Sequence, residues 1–253
     1  MRTLDGASVL ITGGGSGLGS GTARHFAAQG AKVTICGRRA EKIAEVAGQI
    51  GAACRAVVAD ITEGGDRERL VAECVGHGGG IDVLVNNAGN MYRSPLAELE
   101  EKPLREIFDS NVVGPMLLTG SALAQLARRN GAVIFIGSVH TRRAFPGASP
   151  YAATKGAIEV LTKVLAAELG PQGIRVNCVV PGAVFTEINQ RAGLFDHDTA
   201  KQRLEGMADL HALGRIGNEE EIAEAIAHLA CAEWTTGAVL DVDGGLGLGL
   251  TRA

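Results

Sequence analysis

A chain of 253 residues, 46% apolar and 21% charged, with a formal net charge of −4, carries enough apolar material for a sizeable core and an ordinary solvated surface. Its basic residues never run longer than two in a row, which argues against a phosphate-facing patch and so against nucleic-acid binding. The first residues show no basic, then apolar leader with a cleavage site, and no stretch is apolar for long enough to cross a bilayer, so a cytoplasmic protein away from the membrane is expected.

Taken in chain order, apolar runs predict strands at 8–12 (SVLIT), 32–36 (KVTIC), 54–59 (CRAVVA), 81–86 (IDVLVN), 131–137 (GAVIFIG), 174–180 (IRVNCVV) and 237–242 (GAVLDV). Segments of helical period separate them, among them GLGSGTARHFAAQG, AEKIAEVAGQI, RERLVAECV and EEEIAEAIAHLA. Strands apolar on both faces and alternating with helices predict an α/β fold, a doubly wound parallel sheet with helices on both sides. No linker or repeat divides the chain, so one domain spanning 1–253 is expected. The stretch 185–212 breaks the rhythm, and within it 187–212 is expected to form a substrate lid, with Gly193, Gly206 and Gly214 as hinge points. A rigid hairpin serving a subunit contact is the alternative for this stretch. The five cysteines (Cys36, Cys54, Cys74, Cys178, Cys231) are odd in number and lack C-x-x-C spacing, as reduced core thiols would be. The six histidines form no H-E-x-x-H pattern, and no metal site is expected.

The first predicted strand runs into TGGGSGLG (12–19) and then into a helix. Glycines there permit a tight turn and close approach of a pyrophosphate, and the helix N-terminus offers it free N–H groups. Gly13, Ser16, Gly17, Leu18 and Gly19 are therefore candidate cofactor contacts. The second strand ends Cys36-Gly37-Arg38-Arg39 with no acid to hold a ribose 2′-hydroxyl. A guanidinium suits a 2′-phosphate, so Arg38 and Arg39 point to NADP(H), with NAD(H) still possible; the alternative is that both open the next helix as solvated charges.

Tyr151 and Lys155 stand four apart in an evident helix, on one face. A free tyrosine has a pKa of about 10, and a neighbouring ammonium stabilises its phenolate and lowers that value. Tyr151 can then give a proton to a carbonyl oxygen, or take one from an alcohol. Ser138, at the carboxyl end of the fifth predicted strand, faces the ligand crevice of such a sheet and can polarise the same oxygen. A hydrolase is the wrong class, since Ser138 lies in I-G-S-V-H and not in G-x-S-x-G.

Thr12-Gly13-x-x-x-Gly17-x-Gly19, Asp60-Ile61, Asn86-Asn87-Ala88-Gly89, Asn111, Ser138, Tyr151-x-x-x-Lys155 and Pro181-Gly182 with Thr186 follow one another along nearly the whole chain. In order and approximate spacing this set resembles the classical short-chain dehydrogenase/reductase family. The resemblance implies a seven-stranded parallel Rossmann-type sheet and a homotetramer or homodimer. It implies that Arg38, just after the usual acid position, marks an NADP(H) user, and that Asp60 and Ile61 lie beside adenine, although a turn or capping role for Asp60 is equally readable. It places Asn87, Ala88, Gly89, Pro181 and Gly182 along the cofactor. Lys155 would bond the nicotinamide ribose, Val184 and Thr186 would orient the carboxamide, and Asn111 would hold a water that links Lys155 to solvent.

Three segments are expected to wall the substrate site: 90–93, 139–149 and about 185–213. Met91, His140, Phe145 and Phe185 are the candidate substrate contacts, with Leu194, Phe195, Leu204 and Met207 closing over them, and His140 is read as pocket wall and not as a base. Arg142 and Arg143 either attract an anionic substrate or stand as solvated loop arginines. The expected activity is interconversion of a ketone and a secondary alcohol on a small molecule. A 3-oxoacyl-(carrier protein) reductase is the alternative within the same chemistry. A non-catalytic dinucleotide sensor is the alternative outside it, though a sensor has no use for the Ser138, Tyr151 and Lys155 set.

Overall fold

The computed structural model describes residues 2–188, 193 and 196–249. Seven strands form one sheet: β1 (Ser8–Thr12), β2 (Lys32–Gly37), β3 (Cys54–Val58), β4 (Val83–Asn86), β5 (Ala132–Ile136), β6 (Arg175–Pro181) and β7 (Val239–Val242). Every pairing is parallel and the order is β3-β2-β1-β4-β5-β6-β7. Strand order therefore reverses between β1 and β4, and the crevice outside their carboxyl ends is where a sheet of this kind takes its ligand.

The expected strands are present, with ends that move by one or two residues. Just before β4, Asp82 ties it to β1: its N–H donates to the Ser8 carbonyl at 2.8 Å and its carboxylate accepts the Ser8 N–H at 2.9 Å.

Helices cover both faces. On one side α1 (Gly17–Ala28), α2 (Ala40–Ile50) and a late helix, Glu219–Cys231, pack Phe26, Ile43, Ile222 and Ile226 onto Val9, Ile11, Ile35 and Val179. On the other, α3 (Gly64–Gly78), α5 (Gly114–Arg129) and α6 (Ser149–Leu169) pack Leu70, Leu118, Leu126 and Ile158 onto Leu10, Leu84, Val133 and Val176. Alternate residues of each strand thus serve opposite cores, which is why the strands read as continuous apolar runs. The short α4 (Glu101–Phe108) leads into one wide turn, Asp109–Val113, before α5. After β6 come α7 (His197–Glu205) and α8, the helix Glu219–Cys231.

Two devices fix the late part of the chain. Asn218 and Glu221 form a reciprocal cap at the start of α8. At its other end the buried Arg175 of β6 donates to the carbonyls of Leu229, Ala230 and Ala232 at 2.7, 2.5 and 3.0 Å, which satisfies acceptors that a helix terminus leaves open. Among the described residues no helix is long and apolar enough to cross a membrane.

Candidate active site

The glycine turn and the loop after β4 are held together at the point of strand reversal. Thr12 Oγ1 accepts the N–H groups of Asn87 at 3.0 Å and Ala88 at 2.9 Å, while Asn87 Nδ2 donates to the Thr12 carbonyl at 2.8 Å. The space between the two loops leaves no room for side chains. A Cβ at Gly19 would stand 2.3 Å from the Gly13 carbonyl oxygen, and one at Gly13 would stand 3.0 Å from Ala88 Cα. Gly17 adopts φ 54°, a left-handed conformation that glycine takes without strain.

This cradle fits a dinucleotide on its own chemistry. The capping residue of α1, Ser16, makes no side-chain hydrogen bond to the helix, and the first turn of α1 contains no acid. Its N–H groups and positive end therefore face the cavity unneutralised by any carboxylate of that turn, as an anion site requires.

A cavity of about 410 Å³ runs from this turn across the carboxyl end of the sheet. Gly13, Ser16, Gly17 and Leu18 line one end, with Asn87, Ala88 and Gly89, and Pro181, Gly182, Val184 and Thr186 line its floor. Ser138, Tyr151 and Lys155 all line it. Ser138 lies two residues beyond the end of β5, on the turn that opens the loop, and Tyr151 and Lys155 project from α6. All three are less than a tenth exposed. Lys155 Nζ donates to the Ile136 carbonyl at 2.8 Å and lies 5.5 Å from the centroid of the Tyr151 ring. Burial pushes the Lys155 ammonium down to about 8.

Asn111 sits in the wide turn before α5, a local widening that recurs at functional sites. Its Nδ2 donates to the Asn90 carbonyl at 2.9 Å and to Thr154 Oγ1 at 3.1 Å, and its Oδ1 accepts the Asn90 N–H at 2.8 Å. A side chain at Gly89 would stand 3.2 Å from Asn111 Oδ1 and 3.8 Å from Lys155 Nζ, so Gly89 keeps the space between them open.

The adenosine end is more loosely drawn. Arg38 is well exposed, with Nη1 3.6 Å from Asp60 Oδ2. Asp60 also accepts from the N–H and the hydroxyl of Thr62 at 3.0 and 2.8 Å, so it is a turn residue, one of the two roles open to it in the sequence. Ile61 is buried beneath it, in contact with Gly114. Arg39 turns the other way: Nη2 donates to Ser16 Oγ at 3.0 Å and to Glu187 Oε2 at 2.9 Å. Burial alone would raise the Glu187 carboxyl, but the hydrogen bond and charge of Arg39 outweigh it and hold that group below its usual value.

At the substrate end Met91, His140 and Phe145 line the cavity, as do Leu204 and Met207. Phe185 is not among the residues that line it. Val184 makes an isolated bridge to Gly217, and Ala183 and Thr186 line the cavity with it. Leu194 and Phe195 lie outside the described residues. Arg142 is ion-paired within the chain and so is not a solvated loop arginine. Arg142 is held between Glu159 at 2.8 Å and Asp241 at 2.9 Å, and Arg143 donates to the Leu246 carbonyl at 3.4 Å, so both latch the loop after β5 to other parts of the chain.

Sequence reasoning misses Leu246, fully buried against Val139 and Ala183 and lining the cavity, and the Ile136 carbonyl that holds Lys155. Nothing in residue type or spacing marks either, since one arrives from the far end of the chain and the other is a backbone atom.

The family model described as "Enoyl-(Acyl carrier protein) reductase" matches residues 13–247. The chain is 37% identical to L-fucose dehydrogenase of Bos taurus, over 98% of this chain and 92% of that one. It is 36% identical to glucose 1-dehydrogenase of Gluconobacter oxydans, over 96% and 92%. Among solved structures, a 3-ketoacyl-(acyl-carrier-protein) reductase from Brucella melitensis, complexed with NADH, superposes with a TM-score of 0.88 at 34% identity, covering 97% of this chain and all of that one. Together with the seven-stranded sheet and the site at its strand reversal, these likenesses place the chain: it is an oxidoreductase that belongs to the classical short-chain dehydrogenase/reductase family.

Proposed function

We propose that this protein interconverts a ketone and a secondary alcohol on a small molecule, with NADP(H) preferred over NAD(H). The observation that carries the reading is the meeting of Ser138, Tyr151 and Lys155 in the cavity that begins at the glycine turn. When bound, the nicotinamide supplies or accepts the hydride. Tyr151 gives its hydroxyl proton to the substrate oxygen in reduction and takes it back in oxidation. Lys155 stabilises the phenolate left on Tyr151 and reaches the ribose side of the cavity. Ser138 donates to the substrate oxygen and holds it beside Tyr151. Asn111, fixed by four hydrogen bonds, faces the open space at Gly89 through which a water can connect Lys155 to solvent. Arg38 supports the NADP(H) preference, since no acid stands at the end of β2 to repel a 2′-phosphate.

A 3-oxoacyl-(carrier protein) reductase is the second reading, favoured by the likeness to the Brucella protein. The ion pairs of Arg142 with Glu159 and Asp241 leave Arg143 as the one of the two loop arginines with its charge available to an anionic substrate. Following nucleotide absorbance with L-fucose, glucose, galactitol, ethyl acetoacetate and a 3-oxoacyl carrier-protein thioester separates the readings: turnover of the thioester far above the free compounds favours the second, and turnover of the free compounds the first.

The lid reading of 187–212 rests on Leu204 and Met207, which enter the cavity wall, and on Gly193 and Gly214, with φ 66° and 68°. Gly206 has φ −64° and ends α7 in ordinary helical geometry, so it offers no special hinge. Hydrogen exchange tests the lid: protection of this segment that appears only with cofactor and substrate supports it, and equal protection without ligands rejects it. A homotetramer or homodimer is supported by exposed Val113, Met116 and Leu117 at α5 and Val160 and Val164 on α6, two helices on the same side of the sheet. Light scattering on the purified protein decides it. Five free cysteines suit a reducing, cytoplasmic setting.

A further inference from the structure

Ser138 and His140 stand two residues apart on the turn leaving β5. Ser138 Oγ lies 3.0 Å from His140 Nδ1 and also accepts the His140 backbone N–H at 3.3 Å. The imidazole is held from two sides: its centroid is 4.5 Å from that of Phe145, and it meets Tyr151 edge-on at 5.1 Å and 85°. The ring thus touches both side chains that address the substrate oxygen.

A hydroxyl has one proton to give and two lone pairs to fill. The backbone N–H of His140 takes one lone pair. If Ser138 gave its proton to Nδ1, none would remain for the substrate oxygen, and Ser138 could not polarise a carbonyl. If Nδ1 carries the hydrogen, the two N–H groups of His140 fill both lone pairs and the hydroxyl proton is left to point into the cavity. We propose that His140 is a positioning residue, present as the Nδ1–H tautomer, which aims the Ser138 proton at the substrate oxygen. The inference rests on the reading of Ser138 as the group that polarises that oxygen.

The surroundings keep the ring in the state this role needs. Burial first, then the charges of Arg93 and Lys155, push the imidazole down to about 4. Among the described residues the charged groups that act on it are Arg93 from the loop after β4 and Lys155 from α6, with the Tyr151 ring against its edge and no carboxylate contributing. A neutral imidazole does not compete with Tyr151 as the acid, so His140 acts through Ser138. This differs from a plain wall residue, whose ring nitrogen would be interchangeable with carbon.

The test begins in the free protein and needs no substrate. Long-range nitrogen–proton correlation of histidine-labelled protein, assigned by the loss of one signal in His140→Asn, reads the tautomer directly. The expected result is a ring neutral at neutral pH with its proton on Nδ1; a proton on Nε2, with Nδ1 as acceptor, overturns the proposal. Kinetics on whichever compound of the L-fucose, glucose, galactitol and ethyl acetoacetate panel turns over gives the second readout. His140→Phe keeps the ring and loses the N–H, and is expected to lower kcat about tenfold with a smaller change in KM. His140→Asn restores a side-chain N–H and is expected to recover most of that loss. The double variant His140→Phe/Ser138→Ala should be no slower than Ser138→Ala, because both changes remove one function. Normal kcat in His140→Phe while Ser138→Ala is crippled defeats the positioning role alone. Normal kcat in Ser138→Ala defeats the reading of the site on which it stands.

Discussion

The Lys155 ammonium lies 5.5 Å from the centroid of the Tyr151 ring, one helical turn along the same helix. The relationship is electrostatic: a cation this close, in a buried cleft, favours the phenolate form of its neighbour. It also sets a limit on working pH. Burial has lowered Lys155 to about 8, so it is charged below that value and neutral above it. Reduction leaves a phenolate on Tyr151 that needs the cation. The rate of carbonyl reduction should therefore hold below about 8 and fall as pH rises through it. A reduction rate flat well past that value shows that the Lys155 charge is not used.

Cofactor choice turns on Arg38. Arg38→Asp replaces a cation with an anion at the end of β2, beside Asp60, and should weaken NADPH binding by about tenfold or more while favouring NADH in relative terms. Isothermal titration of both nucleotides measures it. Equal affinities of the unaltered protein for NADPH and NADH count against the assignment.

Arg39 reports on the same site from the other side. Its guanidinium is shared between Ser16 and the Glu187 carboxylate, an arrangement in which Glu187 competes with any phosphate that approaches. The pair is partly exposed, so its worth is at most about 1 kcal/mol. Glu187→Gln should strengthen NADPH binding by up to about fivefold, measured by fluorescence titration. Weaker binding in that variant means that Glu187 helps to hold the nucleotide.

Stability hangs on Arg175, which no part of the chemistry uses. Arg175→Met keeps the packing of the stem but leaves the Leu229, Ala230 and Ala232 carbonyls without their shared donor. The loss should be about 3 kcal/mol, seen as a lower urea midpoint with an unchanged slope. A midpoint within error of the unaltered protein would show that water replaces the guanidinium freely.

The parts of this molecule that can be read from sequence are those written in local spacing. Tyr151 and Lys155 are four apart on a helix, and the glycines of 12–19 sit where a strand becomes a helix, so both are legible in residue order alone. The strands are legible because the central ones serve two cores and are mostly apolar. What stays hidden depends on partners far along the chain. Arg142 reads as a solvated loop residue because Glu159 and Asp241 stand 17 and 99 residues away. Leu246 reaches the cavity only once β7 has been laid beside β6. The bond between Ser138 and His140 lies in plain view as S-V-H, but only the turn after β5 brings the two side chains to 3.0 Å.

The central claim is that Tyr151 moves the proton at the substrate oxygen, and one variant addresses it. Tyr151→Phe keeps the ring, its edge contact with His140 and its place in the buried wall, and removes only the hydroxyl. Single-turnover nucleotide oxidation should be measured with a carbonyl substrate that the unaltered protein reduces, alongside nucleotide affinity. The account predicts a rate lower by about 10²-fold or more with nucleotide affinity nearly unchanged. A Phe variant that turns over at close to the unaltered rate would contradict it.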